Sequence, residues 1–258
     1  MNNKKNLPIG VFDSGFGGIS VLKALAALMP NENFKFFGDS QNAPYGTKTS
    51  KQVQKLSLDI VDRFVAEGVK AVVVACNTAT SAAIKVLRAK YPDLIIVGIE
   101  PAVKPAVEHN KNAKVVVMAT PLTLKRPKFN KLADQYKFQA RKIYKLPAPD
   151  LVEYVEQGDI NSPDLYHYLE TILLPYSGKI DSIVLGCTHY PLAKKAIQDV
   201  AGKNVYIVDG GLGTAKQLRK QLVKHNLLTT NNGKGTVTFA NSNPDPNEIV
   251  ISKKLFLL

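Results

Sequence analysis

Several common features are scarce or absent in this chain of 258 residues, and each absence narrows the range of functions. It has two cysteines, four histidines and no tryptophan. No CxxC pair indicates a structural zinc site, and the histidines are too dispersed to indicate a metal cluster, so we expect no metal. The GxGxxG spacing of a dinucleotide fold and the GxxxxGK[ST] phosphate loop are both missing. No lysine stands in a convincing context for a pyridoxal Schiff base, and we expect no cofactor.

Long apolar runs are absent as well. No run approaches the ~20 residues that a membrane-spanning helix needs. The apolar stretch nearest the N-terminus, residues 7–12, is too short for a secretory signal and is more typical of a first strand. We therefore expect a cytoplasmic protein with no membrane partner, and both cysteines should be free thiols.

Acidic residues are few relative to basic ones. The chain has 34 Lys and Arg against 21 Asp and Glu, a formal net charge of +13. A basic protein can bind nucleic acid, a membrane surface or an acidic small molecule. Here the lysines are scattered over predicted helix faces and loops, with no dense tract and no nucleic-acid motif. We interpret the charge as an ordinary basic surface and do not expect nucleic acid as a partner.

The residues that are present predict an α/β protein. Apolar runs alternate with helical patterns along the chain, which is typical of doubly wound parallel sheets. The pattern restarts near residue 98, and strand-then-DSG at residues 9–15 parallels strand-then-ATP at residues 115–121. We predict two similar domains facing each other across a cleft. The first comprises residues 1–101 and 211–258, and the second, residues 102–210, is inserted in it.

The two cysteines stand in matching contexts. Cys76 ends the apolar run in AVVVACNTAT (71–80), and Cys187 ends the run in IDSIVLGCTHY (180–190). Asp13 and Thr120 also follow predicted strands. Because ligands of parallel α/β sheets bind outside the carboxyl ends of the strands, these side chains are candidates for one site. An isolated cysteine in such a place is more often a small buried apolar residue, but two matched ones favour chemistry.

Two thiols on opposed domains suit the inversion of a carbon that carries one acidic hydrogen. One group removes a proton from one face while the other delivers a proton to the opposite face. A thiol with an ordinary pKa of ~8.5 needs a neighbour to tune it, and Asp13 and His189 are the candidates. Each has a simpler interpretation, since Asp13 could cap the next helix and His189 could be a hydrogen-bonded core histidine. Backbone N–H groups at helix starts, helped by nearby hydroxyls, could hold a carboxylate.

At these residues the sequence resembles the cofactor-independent glutamate racemases of the aspartate/glutamate racemase superfamily. The matching motifs run through most of the chain in the family's order: FDSGFGG (12–18), GDSQNAPYGTKT (38–49), VVACNTAT (73–80), GIEP (98–101), VEQG (155–158) and LGCTHYPL (185–192). The combination of ACNTA with GCTHYP is highly specific. Relatives that act on aspartate or hydantoins tend to carry another residue where His189 stands, which favours glutamate.

The resemblance implies a role for each matching position. Cys76 would act on the α-hydrogen of D-glutamate with help from Asp13. Cys187 would act on that of L-glutamate with help from His189 and Glu156. The substrate would be bound by Asp13, Ser14, Pro44, Tyr45, Gly46, Cys76, Asn77, Thr78, Thr120, Cys187, Thr188 and His189. The resemblance also implies a homodimer and a product, D-glutamate, that is used in peptidoglycan synthesis.

Some positions leave alternatives open. Many family members have Ser and Tyr where this chain has Arg126 and Phe129, and Cys-Pro where it has Ala148-Pro149. Glu156 shares a predicted helix with Glu153 and could belong to a solvated face, while Tyr45 could serve only loop packing.

The competing functions are an aspartate-type racemase or decarboxylase of the same fold, a hydrolase with one nucleophilic cysteine, and a basic nucleic-acid-binding protein.

Overall fold

The computed structural model describes residues 2–125 and 127–257, which contain nine strands and twelve α-helices. The strands are β1 Ile9–Asp13, β2 Phe34–Gly38, β3 Ala71–Val74, β4 Ile95–Gly98, β5 Lys114–Ala119, β6 Lys142–Pro147, β7 Ser182–Leu185, β8 Tyr206–Asp209 and β9 Val237–Asn241. The helices are α1 Asn2–Lys5, α2 Ile19–Leu28, α3 Ser50–Ala66, α4 Asn77–Lys90, α5 Val103–His109, α6 Pro121–Lys125, α7 Pro127–Tyr136, α8 Asp150–Glu156, α9 Pro163–Leu173, α10 Lys194–Ala201, α11 Gly211–Lys224 and α12 Pro246–Leu257. Short 3-10 helices cover Ser40–Asn42, Tyr45–Thr47, Leu174–Tyr176 and Tyr190–Ala193.

The chain divides into two compact units, one formed by Met1–Ile99 with Gly211–Leu258 and the other by Glu100–Gly210. Each unit holds one parallel sheet. The order is β4-β3-β1-β2-β9 in the first unit and β6-β5-β7-β8 in the second. The α/β class with parallel sheets, predicted from the alternation of apolar runs, is therefore confirmed. No helix of the described residues combines the length and the apolar character needed to cross a bilayer.

The sheet of the first unit is covered by helices on both faces. Ile9 and Val11 of β1 point into a core shared with α2 and α11, while a Cβ on Gly10 would lie 2.7 Å from the Phe64 ring of α3. All five residues of β1 are buried, as are all four of β3. Such uninterrupted burial is what a parallel strand between two helix layers requires. The C-terminal helix α12 packs on α2 and β9.

The sheet of the second unit is also covered on both faces. Val116 and Met118 of β5 contribute to a core with α8, α9 and α10, whereas Val115 and Val117 contribute to a second core with α5 and α7. This alternation follows the two-residue period of a strand. The consequence for function is common to both units: each sheet has one edge at which the carboxyl ends of its strands meet.

Candidate active site

The carboxyl edge of the first sheet gathers three side chains capable of proton chemistry. Asp13 ends β1, Asp39 follows β2, and Cys76 follows β3 after one alanine. The register pairs Asp13 with Gly38, and the Ala75 N–H donates to the Phe12 carbonyl at 2.8 Å, so the three strand ends are level. All three side chains are almost completely buried.

Asp13 closes the turn between β1 and α2. Its Oδ2 accepts hydrogen bonds from the N–H groups of Gly15 (3.2 Å) and Gly18 (3.0 Å). A Cβ on Gly18 would lie 2.4 Å from the Asp13 Cβ, so only glycine allows this approach. Both donors precede Ile19, the first residue of α2, so these two bonds hold the turn that leads into the helix. Two N–H donors also favour the ionised carboxylate.

Cys76 is the N-cap of α4. Its Sγ accepts from the Ala79 N–H at 3.4 Å and lies 3.6 Å from Ser14 Oγ. Helix α4 begins at Asn77, directly after the cysteine, whose sulfur satisfies one N–H of the first turn. A sulfur at a helix N-terminus faces the positive end of the helix dipole, which favours a thiolate.

Asp39 is a residue that the sequence analysis missed. It is buried, and its carboxylate accepts from the Tyr45 hydroxyl at 2.5 Å and from the Asn42 side-chain amide at 2.9 Å. Burial, Asp39, Cys76 and Asp13 together raise the pKa of Tyr45 well above its ordinary value, so its hydroxyl stays protonated and donates. The signal was present in the sequence, since Asp39 directly follows the second strand just as Ser14 follows Asp13 at the end of the first.

The other predicted residues of this unit lie at the same edge. Ser14, Asn77 and Thr78 are buried, and the Tyr45–Thr47 segment contacts α4. Pro44 and Gly46 are half-buried in that loop. Among the described residues, the Asn77 Oδ1 and the Ser81 Oγ are the buried side-chain atoms without a hydrogen-bond partner. Since an unsatisfied buried acceptor is costly, Asn77 Oδ1 is suited to a donor on a ligand.

The carboxyl edge of the second sheet holds the other thiol. Cys187 follows β7, and its Sγ lies 3.6 Å from His189 Nδ1. On the far side of the imidazole, Nε2 is hydrogen-bonded to Glu156 Oε1 at the end of α8. His189 is buried, whereas 22% of the Glu156 side chain is exposed. The neighbouring Glu153 is exposed, so the structure distinguishes two glutamates that the sequence pattern could not.

His189 has a perturbed affinity for protons. Burial alone would lower its pKa, but hydrogen bonds with Cys187 and Glu156, and the negative charges of both groups, raise the pKa of His189 well above its ordinary value. The imidazolium is thus favoured near neutral pH. That cation lies 3.6 Å from the Cys187 sulfur.

The remaining predicted residues of this unit line the same edge. Thr120 follows β5 and its hydroxyl donates to Thr123 Oγ1 at 3.0 Å, while Thr188 is buried beside Cys187. A Cβ on Gly186 would lie 2.9 Å from the Met118 carbonyl oxygen, so β7 and β5 approach closely there. Among the residues described, no three His, Cys, Asp or Glu side chains form a group that could hold a metal ion.

Many members of the family that the sequence resembles carry other residues where this chain has Phe129, Ala148 and Arg126. Phe129 is buried in the core with α5 and α7, and the Lys145 ammonium lies 5.5 Å from its ring centroid. Ala148 is buried, and its carbonyl accepts from the Tyr190 hydroxyl at 2.6 Å. Arg126 lies outside the described residues.

Comparison with known proteins shows similarity to racemases in both sequence and structure. The family described as Asp/Glu/Hydantoin racemase matches residues 9–218. A glutamate racemase of Clostridium novyi (strain NT) is 52% identical over 251 residues, which cover 96% of each chain. Among solved structures, glutamate racemase isoform RacE1 from Bacillus anthracis has a TM-score of 0.89 at 28% identity, covering 98% of this chain and 95% of that one. The glutamate racemase of Francisella tularensis subsp. tularensis SCHU S4, solved in complex with D-glutamate, has a TM-score of 0.85 at 27% identity, with the same coverage.

Proposed function

Because this chain belongs to the Asp/Glu/Hydantoin racemase family, we propose that it interconverts L-glutamate and D-glutamate without a cofactor, using two thiols for proton transfer at the α-carbon. The observation that carries this proposal is the matched placement of Cys76 and Cys187. Each is buried at the carboxyl edge of a parallel sheet and has a titratable neighbour. The high identity to a glutamate racemase over nearly the whole chain supports glutamate as the substrate.

The reaction needs one base and one acid on opposite faces of the α-carbon. With L-glutamate, the Cys187 thiolate takes the α-proton and leaves a planar carbanion. The Cys76 thiol then delivers its proton to the other face, which gives D-glutamate. The reverse reaction exchanges the roles of the two sulfurs. The scheme requires both sulfurs to reach the same substrate, one on each face.

The neighbours of each thiol adjust its basicity. The His189 imidazolium, held by Glu156, lies 3.6 Å from the Cys187 sulfur and assists proton transfer there. At Cys76 the helix N-terminus and the Ala79 N–H favour the thiolate, while Asp13 assists transfer of the proton. The substrate carboxylates are held by backbone N–H groups and by the hydroxyls of Ser14, Thr78, Thr120 and Thr188. The substrate ammonium donates to Asn77 Oδ1, a buried acceptor that has no hydrogen-bond partner among the described residues.

The substrate assignment is tested with purified protein, D- or L-glutamate and no added cofactor. We expect the circular dichroism signal of either enantiomer to decay to zero, with deuterium from solvent incorporated at the α-carbon. Aspartate is the matched control substrate. Exchange with aspartate and not with glutamate would assign the chain to an aspartate-type racemase instead.

The two-thiol mechanism has a sharper test. Cys76→Ala and Cys187→Ala should each abolish racemisation. A glutamate analogue with chloride on the β-carbon needs only α-proton removal, since loss of chloride then completes the reaction. We therefore expect Cys187→Ala to release chloride only from the D-configured analogue and Cys76→Ala only from the L-configured one. A single variant that racemises glutamate near the wild-type rate would refute the mechanism.

The physiological part of the proposal is that D-glutamate from this enzyme supplies peptidoglycan synthesis in the cytoplasm, with the protein acting as a homodimer. The gene should restore growth to a bacterial strain that requires D-glutamate, and the Cys76→Ala gene should not. Sedimentation equilibrium measures the assembly, and a monomer at all accessible concentrations would contradict the homodimer.

A further inference from the structure

The helix layer formed by α2, α11 and α12 on one face of the first sheet has an unusual charge composition. Helix α2 packs against both α11 and α12. One lysine lies in α2, four cations lie in α11 and two in α12. The only carboxylate in these helices is Glu248, which accepts from the side-chain amides of Asn241 and Asn243. The layer therefore concentrates positive charge that the sequence pattern suggested was scattered.

The cations of this layer are not engaged in ion pairs within the described part of the chain. Elsewhere, Lys35, Lys90 and Lys195 lie within 2.8 Å of a carboxylate oxygen. No carboxylate of residues 2–125 or 127–257 pairs with the cations of the layer, which are Lys23, Lys216, Arg219, Lys220, Lys224, Lys253 and Lys254. Lys216, Arg219 and Lys220 line an open groove of about 520 Å³ together with Leu28 and Val223.

The same outer faces expose large aliphatic side chains. On α11, Leu212 and Val223 stand in one stripe with the cations at positions 216, 219 and 220. On α12, Val250 is 62% exposed and Leu257 is 82% exposed, with lysines 253 and 254 on the turn between them. The spacing of three and four residues keeps each set on one helix face. Both helices thus present apolar and cationic side chains together.

We propose that this layer is a peripheral docking surface for an anionic phospholipid bilayer. Cations contact lipid phosphates while the exposed aliphatic side chains enter the headgroup region, which is how amphipathic helices lie on a membrane. A second copy of the chain is disfavoured because a symmetric contact would place cations against cations. A nucleic acid would contact the cations but would leave the aliphatic side chains exposed to water. The sequence analysis expected no membrane partner because it found no spanning segment and interpreted the scattered lysines as an ordinary basic surface.

Flotation of the full chain with lipid vesicles tests the proposal. We expect the protein to float with vesicles of phosphatidylcholine and phosphatidylglycerol, but not with phosphatidylcholine alone. Reversing two cations, Arg219→Glu with Lys220→Glu, should weaken binding by roughly tenfold or more. The matched control reverses two exposed lysines of α3 and α4, Lys55→Glu with Lys85→Glu, and should bind within about twofold of wild type because its charge change lies outside the layer.

A third variant separates a bilayer from other anionic partners. Val250→Ser with Leu257→Ser keeps the charge, and it should lower vesicle binding several-fold while racemase activity stays unchanged. The proposal is overturned if wild type ignores anionic vesicles or if both charge variants lose binding equally. It is also overturned if the serine variant binds like wild type. Duplex DNA that displaces vesicles equally from every form that retains Arg219 and Lys220 would assign the surface to nucleic acid.

Discussion

The two thiols of the proposed reaction have different kinds of neighbour. Cys76 receives a backbone N–H from its own helix, whereas Cys187 faces an imidazole that is held by Glu156. A helix N-terminus contributes a fixed partial charge, while an imidazolium contributes a full charge that titrates. The two half-reactions should therefore respond differently to changes in single residues and in pH.

Replacing His189 should expose this difference through isotope effects. The equilibrium constant of a racemisation is unity, so His189→Gln must lower kcat/KM equally for both enantiomers, by roughly 10²–10⁴-fold if the assistance is general acid–base in kind. Proton removal by Cys187 then limits the L-to-D direction. We expect the primary deuterium effect to rise with α-deuterated L-glutamate and to fall with the D-isomer. Unchanged isotope effects in both directions would exclude assistance to Cys187.

The raised pKa of His189 also predicts how stability depends on pH. A histidine whose pKa is raised on folding contributes stability that is fully present below its unfolded pKa of ~6.5. That contribution is lost as pH rises through the folded value. Glu156→Gln should therefore destabilise most between about pH 5 and 6.5 and progressively less at higher pH. Urea unfolding of wild type and Glu156→Gln across this pH range measures the difference in unfolding free energy. A difference that does not depend on pH would contradict the pairing of Glu156 with His189.

At the scale of elements, both sites depend on how closely a turn can approach the end of a strand. The turn from β1 into α2 donates a hydrogen bond to Asp13 through the Gly18 N–H. The turn that follows β7 passes close to β5 at Gly186. In each place a glycine leaves room where a Cβ would meet side-chain or backbone atoms at less than 3 Å. The candidate catalytic groups are thus held by close packing of short connections.

Gly18→Ala tests this dependence. The added methyl would lie 2.4 Å from the Asp13 Cβ, so we expect a loss of about 1–3 kcal/mol in unfolding free energy and displacement of the Asp13 carboxylate, with lower kcat. The matched control is Gly213→Ala in α11, where nothing lies within 4 Å. There alanine should be neutral or stabilise by up to about 1 kcal/mol. Equal effects of the two substitutions in chemical denaturation would refute the packing argument.

At the scale of the whole molecule, one buried ion pair joins distant parts of the first unit. Lys70 Nζ donates to Glu32 and to the Lys5 carbonyl of α1, while the other oxygen of Glu32 accepts from the Thr229 N–H at 2.8 Å. The side chains of Lys70 and Glu32 are 1% and 2% exposed. Burial lowers the pKa of Lys70 although Glu32 opposes the change. The pair thus fixes the N-terminal helix and the segment after α11 to the strand that leads to Cys76.

Removing one partner should be costly because it leaves the other charge buried. We expect Lys70→Met to destabilise by about 3–5 kcal/mol, and the double variant with Glu32→Gln to lose less than that. Lys90→Met, which breaks the exposed pair with Asp62, serves as control and should cost much less than Lys70→Met. Urea denaturation followed by circular dichroism measures all three. A double variant less stable than Lys70→Met would contradict an uncompensated charge as the cause.

Sequence alone determined the features that depend on local order. Apolar runs interrupted at Asp13, Cys76 and Cys187 predicted strands and placed these candidate residues at their carboxyl ends, because the pattern of apolar residues that marks a buried strand is visible in the sequence. The resemblance to glutamate racemases rests on the same motifs. Only the tertiary structure selected Asp39 among the polar residues of its loop and Glu156 over Glu153, because burial and contact depend on which elements pack together. The concentration of cations on the layer of α2, α11 and α12 likewise arises from packing helices that are distant in sequence.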